Sequence, residues 1–302
     1  MSECVIEARG LRKAYGDLEA VRGIDLEVGR GEVFAFLGPN GAGKTTTVEI
    51  LEGYRERSGG DAQVLGVDPE RATRDWRRRI GIVLQHTRMT PELSIRETLE
   101  LFAGYYPAPR DVAETIGLVG LSDKAEDRVA RLSGGQQRRL DVALALIGDP
   151  ELLFLDEPTT GFDPTARRRA WEVIANLRAL GKTIFLTTHY MDEAQVLADR
   201  VAIIVGGKIV AEGPPDQLGR GTATTEIRFQ LPDGLGVGEL PLDGAEIERG
   251  GRFVTVMTGE PVRVLNELTA WALGREIELF GLQVGAPSLE DVYLELTEEA
   301  RR

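Results

Sequence analysis

The sequence is poor in the residues that build covalent and metal frameworks. Its one cysteine, Cys4, has no partner in the chain, so no intrachain disulfide forms and no zinc cluster is available. That scarcity fits a reducing cytoplasm. Histidine is nearly as scarce, with only His86 and His189. Positive charge is outweighed: 36 Lys and Arg stand against 49 Asp and Glu, a formal net charge of -13. A surface that coats nucleic acid needs clustered Lys and Arg, so no nucleic-acid partner is expected. No apolar run reaches the length of a bilayer span. The longest, around Leu140 to Leu155, is broken by Asp149, Pro150 and Glu151. Met1-Ser2-Glu3-Cys4 has neither the basic nor the apolar region of a signal peptide. Work at a membrane therefore requires spanning helices from another chain. Low-complexity tracts and obvious internal repeats are also missing.

What remains is an ordinary globular composition, 42% hydrophobic and 28% charged over 302 residues, enough for two domains or for one with an appendage. Val5–Ala8 and Ile24–Val28 alternate as antiparallel strands do. Val33–Leu37 is continuously apolar, which predicts a strand buried on both faces. A Gly-rich turn follows, and Thr45–Leu51 has helical spacing. Arg79–Leu84 is another apolar run. Residues 91–145 read as mostly helical, with loops at Pro107–Pro109 and Ser133–Gly135 and a helix starting near Gln137. Leu152–Leu155 and Thr183–Thr187 read as buried strands flanking a helix over Pro164–Leu180. Val201–Val205 and Lys208–Ala211 form a hairpin around Gly206-Gly207. A seam at Gly213-Pro214-Pro215 and Gly219–Thr225 opens a second segment. There Glu226–Leu231, Glu246–Glu248, Phe253–Met257 and Ile277–Val284 read as strands. Val262–Leu273 is helical with Leu265, Leu268 and Ala272 on one face, and Ser288 caps a last helix with Asp291 three residues on. The order suggests a small α/β sandwich of roughly ferredoxin-like type.

Gly38-Pro39-Asn40-Gly41-Ala42-Gly43-Lys44-Thr45 matches G-x-x-x-x-G-K-[ST] in full, between a predicted strand and a predicted helix. In that setting glycines let backbone N–H groups converge on phosphate oxygens, and the helix N-terminus adds its positive dipole end. Lys44 is expected to reach the β- and γ-phosphates and Thr45 to bind Mg²⁺, with Thr46 beside it in the nucleotide site. Only one such loop occurs, so the chain carries one ATPase unit. Leu152–Leu155 then runs into Asp156-Glu157. Asp156 at a strand end can hold Mg²⁺, directly or through water, and Glu157 is placed to polarise the attacking water.

Leu132-Ser133-Gly134-Gly135-Gln136 lies about twenty residues before that acidic strand. Phosphate loop, LSGGQ and LLFLDEP in this order resemble the ATP-binding-cassette (ABC) ATPases. The resemblance implies an α/β fold: a P-loop cassette over residues 1–220 with a mixed-sheet core, an antiparallel β subdomain and a helical subdomain at about 86–145. A small C-terminal α/β domain over 221–302 completes it. It also implies a head-to-tail dimer of cassettes, homodimer or heterodimer, in which Ser133, Gly134, Gly135 and Gln136 of one subunit complete the ATP site of the other. By the same resemblance Gln85 contacts Mg²⁺ and the attacking water, Asp163 is the D-loop aspartate, His189 bonds the γ-phosphate, and Tyr15 stacks on adenine. Phe162 departs from the leucine common there. His86 matches no motif.

Leu51-Glu52-Gly53-Tyr54, Ser58-Gly59-Gly60 with Val64-Leu65-Gly66, and Pro287–Tyr293 look like the exporter branch that includes daunorubicin-resistance ATPases. That likeness implies a separate transmembrane permease subunit, a place on the cytoplasmic face of the cell membrane, and outward transport of drug, lipid or polysaccharide. A soluble cassette acting on ribosomes or DNA is the competing reading. Such proteins usually carry two phosphate loops, long coiled coils or zinc modules, none of which is present. A regulator without turnover is disfavoured by the retention of Glu157 and His189.

Overall fold

The computed structural model describes residues 3–84, 90–218, 225–232, 234–242, 246–250, 253–285 and 289–299. The chain divides into two compact units, Met1–Pro215 and Asp216–Arg302.

The first unit opens with β1 (Cys4–Tyr15) and β2 (Leu18–Gly29), an antiparallel pair, followed by the buried β3 (Val33–Leu37) and α1 (Lys44–Leu51). β4 (Gly59–Val64) adds to the other edge of β1. Alternation places Ile6, Ala8, Ile24, Leu26 and Val28 inward, all at most 2% exposed. Next come α2 (Arg74–Arg78), β5 (Ile80–Val83), and three helices, α3 (Ile95–Ala103), α4 (Val112–Leu118) and α5 (Gly134–Leu146). β6 (Leu152–Asp156), α6 (Pro164–Ala179), β7 (Thr183–Thr188), α7 (Met191–Leu197), β8 (Arg200–Val205) and β9 (Lys208–Gly213) complete the unit, with α8 (Pro215–Leu218) at the seam.

The central sheet runs β5-β6-β7-β3-β8-β9, parallel except for the β8–β9 hairpin. Every residue of β3 is 0% exposed, as a strand covered on both faces requires. Phe185 on β7 holds the middle together. Its ring centroid lies 5.5 Å from Phe34, 5.7 Å from Phe36 and 5.8 Å from Phe154. Burying one such ring contributes about 1.5–3 kcal/mol. Neighbouring strands are in register to their ends: Phe36 and Asp156 both pair with Thr187. The carboxyl ends of β3, β6 and β7 thus finish along one line, where ligands of open α/β sheets bind.

The signature helix starts earlier than its spacing suggests. Ser133 is the N-cap and α5 begins at Gly134, so Gly134 and Gly135 belong to its first turn and not to a loop. A reciprocal capping box is the cause: Ser133 N–H donates to Gln136 Oε1 (2.8 Å) and Gln136 N–H to Ser133 Oγ (3.3 Å).

The second unit is a four-stranded antiparallel sheet of β10 (Thr225–Gln230), β11 (Glu246–Gly250), β12 (Phe253–Thr258) and β13 (Phe280–Gly285), with α9 (Pro261–Gly274) and α10 (Leu289–Glu299). The strand order β11-β12-β10-β13 is that of a split βαβ fold. Among the described residues of the first crossover, a 3-10 turn at Val237–Glu239 stands where a helix would. α9 buries Val264, Leu268 and Ala272, with Leu265 at the margin of the core. The last strand begins at Phe280, not Ile277. Glu276 turns left-handed (φ 57°) and Ile277 N–H bonds Ala272 O at 2.8 Å, so these residues close the helix instead. Ser288, expected as a cap, lies outside the described residues. No described helix is long and apolar enough to cross a membrane.

Candidate active site

The phosphate loop leaves β3 at Leu37 and becomes α1 at Lys44. Gly38 passes so close to β8 that a Cβ would stand 2.4 Å from Ile204 O. Gly43, the N-cap, has φ 107°, and a Cβ there would stand 2.5 Å from Ala20 O. A side chain at either position breaks the loop. Ala42 N–H bonds Pro39 O (3.1 Å), and Gly207 N–H bonds Ala42 O (3.0 Å), which pins the turn to the β8–β9 hairpin. Lys44 Nζ donates to Gly38 O (2.6 Å) and Pro39 O (3.2 Å) and is 7% exposed. Burial pulls its pKa down, and the nearby Glu157 and Asp156 oppose that. A cleft of about 350 Å³ is lined by Asn40, Gly41, Lys44, Thr45 and Thr46 on one side and by Asp156 and Glu157 on the other.

The acidic pair is anchored by a neighbouring strand. Thr187 Oγ1 donates to Asp156 Oδ1 at 2.5 Å. Glu157 N–H in turn donates to Thr187 Oγ1 (3.0 Å) and Thr187 O (3.1 Å). Glu157 holds a left-handed backbone, φ 46°, which is strained for a residue with a Cβ. Its carboxylate accepts from Thr160 Oγ1 at 3.0 Å and lies 3.4 Å from His189 Nδ1. His189 follows β7 and its ring packs 4.1 Å from that of Tyr190.

The signature faces elsewhere. Ser133, Gly134 and Gly135 line a cavity of about 500 Å³ with Phe162, Asp163 and Glu157, the last of which also lines the cleft of the phosphate loop. None of the signature residues lines the cleft of the phosphate loop in the same chain. Phe162, the departure from leucine, fits against the glycine turn: a Cβ on Gly135 would meet its ring at 4.0 Å. Asp163 caps α6, its Oδ1 accepting from Thr165 N–H and Ala166 N–H, each 2.8 Å.

Tyr15 stands at the end of β1, 40% exposed and apart from the residues that line the cleft. Its ring is flanked by Lys13 Nζ at 5.2 Å and the Arg55 guanidinium at 5.3 Å. Gln85 and His86 lie outside the described residues. Two residues that the motifs do not single out belong to the site's framework. Thr187 is hidden in an apolar strand, and only its register with Asp156 reveals it. Arg138, 9% exposed on α5, reaches the backbone of the acidic strand end. Its one sequence signal is a cation on the buried side of a helix.

The family model described as ABC transporter matches residues 21–160. That of an ABC transporter-like C-terminal domain matches residues 225–288. A daunorubicin resistance ATP-binding protein of Streptomyces coeruleorubidus is 37% identical, covering 100% of this chain and 98% of the relative. A Nod factor export ATP-binding protein of Cupriavidus pinatubonensis is 40% identical over 97% of this chain and 90% of its own. Among solved structures, cbiO1 of Clostridium perfringens, part of the ABC transporter complex cbiONQ, is 28% identical with a TM-score of 0.66. It covers 72% of this chain and 90% of its own. A dimeric post-hydrolysis cassette bound to ADP and phosphate shares the fold at 24% identity and a TM-score of 0.62, covering 69% of this chain and 98% of its own. The chain belongs to the ABC transporter family and is an ATP-binding, ATP-hydrolysing cassette subunit of the exporter kind.

Proposed function

We propose that the chain drives outward transport as one half of a head-to-tail pair of cassettes, seated on a separate membrane-spanning subunit at the cytoplasmic face of the membrane. The observation that carries the pairing is the separation described above: the phosphate loop and Asp156 line one cleft, the signature lines another, and Glu157 lines both. An ATP held by Lys44 then meets Ser133, Gly134, Gly135 and Gln136 only when a second subunit supplies them. The start of α5 offers that phosphate free N–H groups and a dipole end.

Asp156 and the Thr45 hydroxyl are hard oxygen donors at one cleft, which suits Mg²⁺. Oδ1 of Asp156 is engaged by Thr187, so its other carboxylate oxygen is the one that would hold the cation. When bound there, Mg²⁺ neutralises charge on the phosphate oxygens; Gln85 is assigned to the same site by family likeness. Backbone N–H groups of the loop and Lys44 orient the β- and γ-phosphates. Glu157 takes the proton of the attacking water, and His189 holds the γ-phosphate beside it. Asp163 sits at the border with the partner, and Tyr15 offers an exposed ring to adenine. Tyr54 (70% exposed), Leu84 (46%) and Phe102 line a cleft that also holds Glu52 and Arg77, a surface for the membrane subunit. The relatives, one named for daunorubicin resistance and one for Nod factor export, favour a drug or a secreted factor as cargo.

Mixing two inactive variants tests the pairing. Lys44→Ala removes the phosphate grip, and Ser133→Arg obstructs the signature. Each alone is expected to be silent. Together they rebuild one intact composite site, so phosphate release returns. Silence of the mixture overturns the shared site.

A further inference from the structure

Arg138 occupies the second turn of α5, two residues past the end of the signature, and its guanidinium is almost fully buried. Its donors go to backbone carbonyls outside its own helix. Nη1 bonds Leu84 O, and Nη2 bonds Asp156 O. Nη2 also approaches Glu157 O, and Nε approaches Pro158 O, each at 3.4 Å. Asp141, one turn along the same helix, balances the charge at 3.8 Å. One planar cation thus gathers the ends of β5 and β6 and the residue after Glu157. The Glu157 peptide is held from both sides: Thr187 takes its N–H and Arg138 its carbonyl. Such opposed bonds are what keep a non-glycine residue at φ 46°.

The same helix begins with the signature. Its N-cap is Ser133, and its second turn carries the grip on the acidic strand end. We propose that Arg138 is a positioning residue linking the two composite sites of a dimer: it couples the signature a subunit offers to its partner's ATP to the aim of that subunit's own Glu157. A tilt of α5 on meeting the partner's γ-phosphate then moves the carbonyls of residues 156–158, and with them the base. This rests on the shared-site reading above. Lysine cannot replace the grip, because one ammonium cannot satisfy a planar set of four acceptors.

The test uses full-length chains in the complementing pair. One partner carries Ser133→Arg and supplies the working phosphate loop and Glu157. The other carries Lys44→Ala and supplies the signature. Arg138→Lys is added to either one, and the second is titrated to saturation. In the loop-bearing partner, a misaimed base is expected to lower plateau turnover about 10- to 100-fold with ATP affinity retained. In the signature-bearing partner, the link acts in the other direction: loss of the grip on the strand end frees the start of α5, the signature is misplaced on the partner's ATP, and the plateau is expected to fall about fivefold or more. A merely destabilised subunit would shift the half-saturating concentration and leave the plateau intact. Arg138→Gln, which keeps one amide donor, serves as second variant if the lysine protein does not fold. An unchanged plateau in the signature-bearing arm overturns the coupling. If the parent pair shows no turnover at all, the shared site itself fails, and this proposal with it.

Discussion

Nδ1 of His189 stands 3.4 Å from Oε1 of Glu157, across the adjoining ends of β7 and β6. Thr160 engages the other carboxylate oxygen at 3.0 Å, so the carboxylate proposed as the base is oriented by two neighbours. Glu157→Gln keeps the shape and removes the proton acceptor. Turnover is expected to fall roughly 10²–10⁴-fold with ATP affinity near that of the parent. ATP-dependent dimer should accumulate, visible as a doubled mass on gel filtration. His189→Ala, which removes the donor proposed for the γ-phosphate, should cost about 10² in turnover. Parent-like phosphate release from Glu157→Gln would remove that residue from the mechanism.

Thr187→Val tests the anchor beneath the acidic pair. It preserves volume but takes the donor from Asp156 and one acceptor from Glu157 N–H. The expected stability loss is about 1–3 kcal/mol by urea titration, since a polar group is left short of partners. The Mg²⁺ concentration for half-maximal turnover should rise, and Thr187→Ser should restore both. A valine variant with unaltered Mg²⁺ dependence would show that the hydroxyl does not set Asp156.

Glu52 makes stability depend on pH. It is 5% exposed, and burial, reinforced by Asp156 and Glu49, pushes its carboxyl up from 4.5 to about 8. The folded chain therefore holds this proton more tightly than the unfolded chain does. Its contribution is complete below about pH 4.5 and is lost as pH rises toward 8. The melting temperature should fall between pH 6 and pH 8.5, and Glu52→Gln should flatten that slope. Parallel slopes for the two proteins would exclude Glu52 as the source.

Removal of residues 216–302 is expected to leave a folded cassette that binds ATP, because the first unit holds the phosphate loop, acidic pair and signature within Met1–Pro215. Equilibrium binding of labelled ATP to the truncated chain decides it. An insoluble product would place the boundary elsewhere.

The parts of the site legible in the sequence are those whose chemistry is local. The phosphate loop needs glycines, a lysine and a threonine in one short stretch, and a strand covered on both faces reads as an unbroken apolar run. Tertiary bonds leave no such trace. The Thr187–Asp156 bond follows from the parallel register of β6 and β7, thirty-one residues apart in sequence. Arg138 looks like one more cation in Gln137-Arg138-Arg139 until its carbonyl partners are known. The helix start at Gly134 was obscured because two glycines read as loop, whereas the Ser133–Gln136 capping box compensates for their poor propensity. Tyr15 and Asp163 reach the reading by family likeness alone; within the chain one ring faces solvent and one carboxylate caps a helix.

The left-handed backbone at Glu157 has an evolutionary cost. Glycine adopts φ 46° freely, so Glu157→Gly should relieve strain of about 1–2 kcal/mol, partly offset by the greater freedom of the unfolded chain. The residue of least backbone strain at this position is thus one that cannot take a proton. A library selected only for heat resistance should drift toward glycine at 157 and lose turnover as it does so. A library selected for transport should hold glutamate there and recover stability at positions far from the cleft.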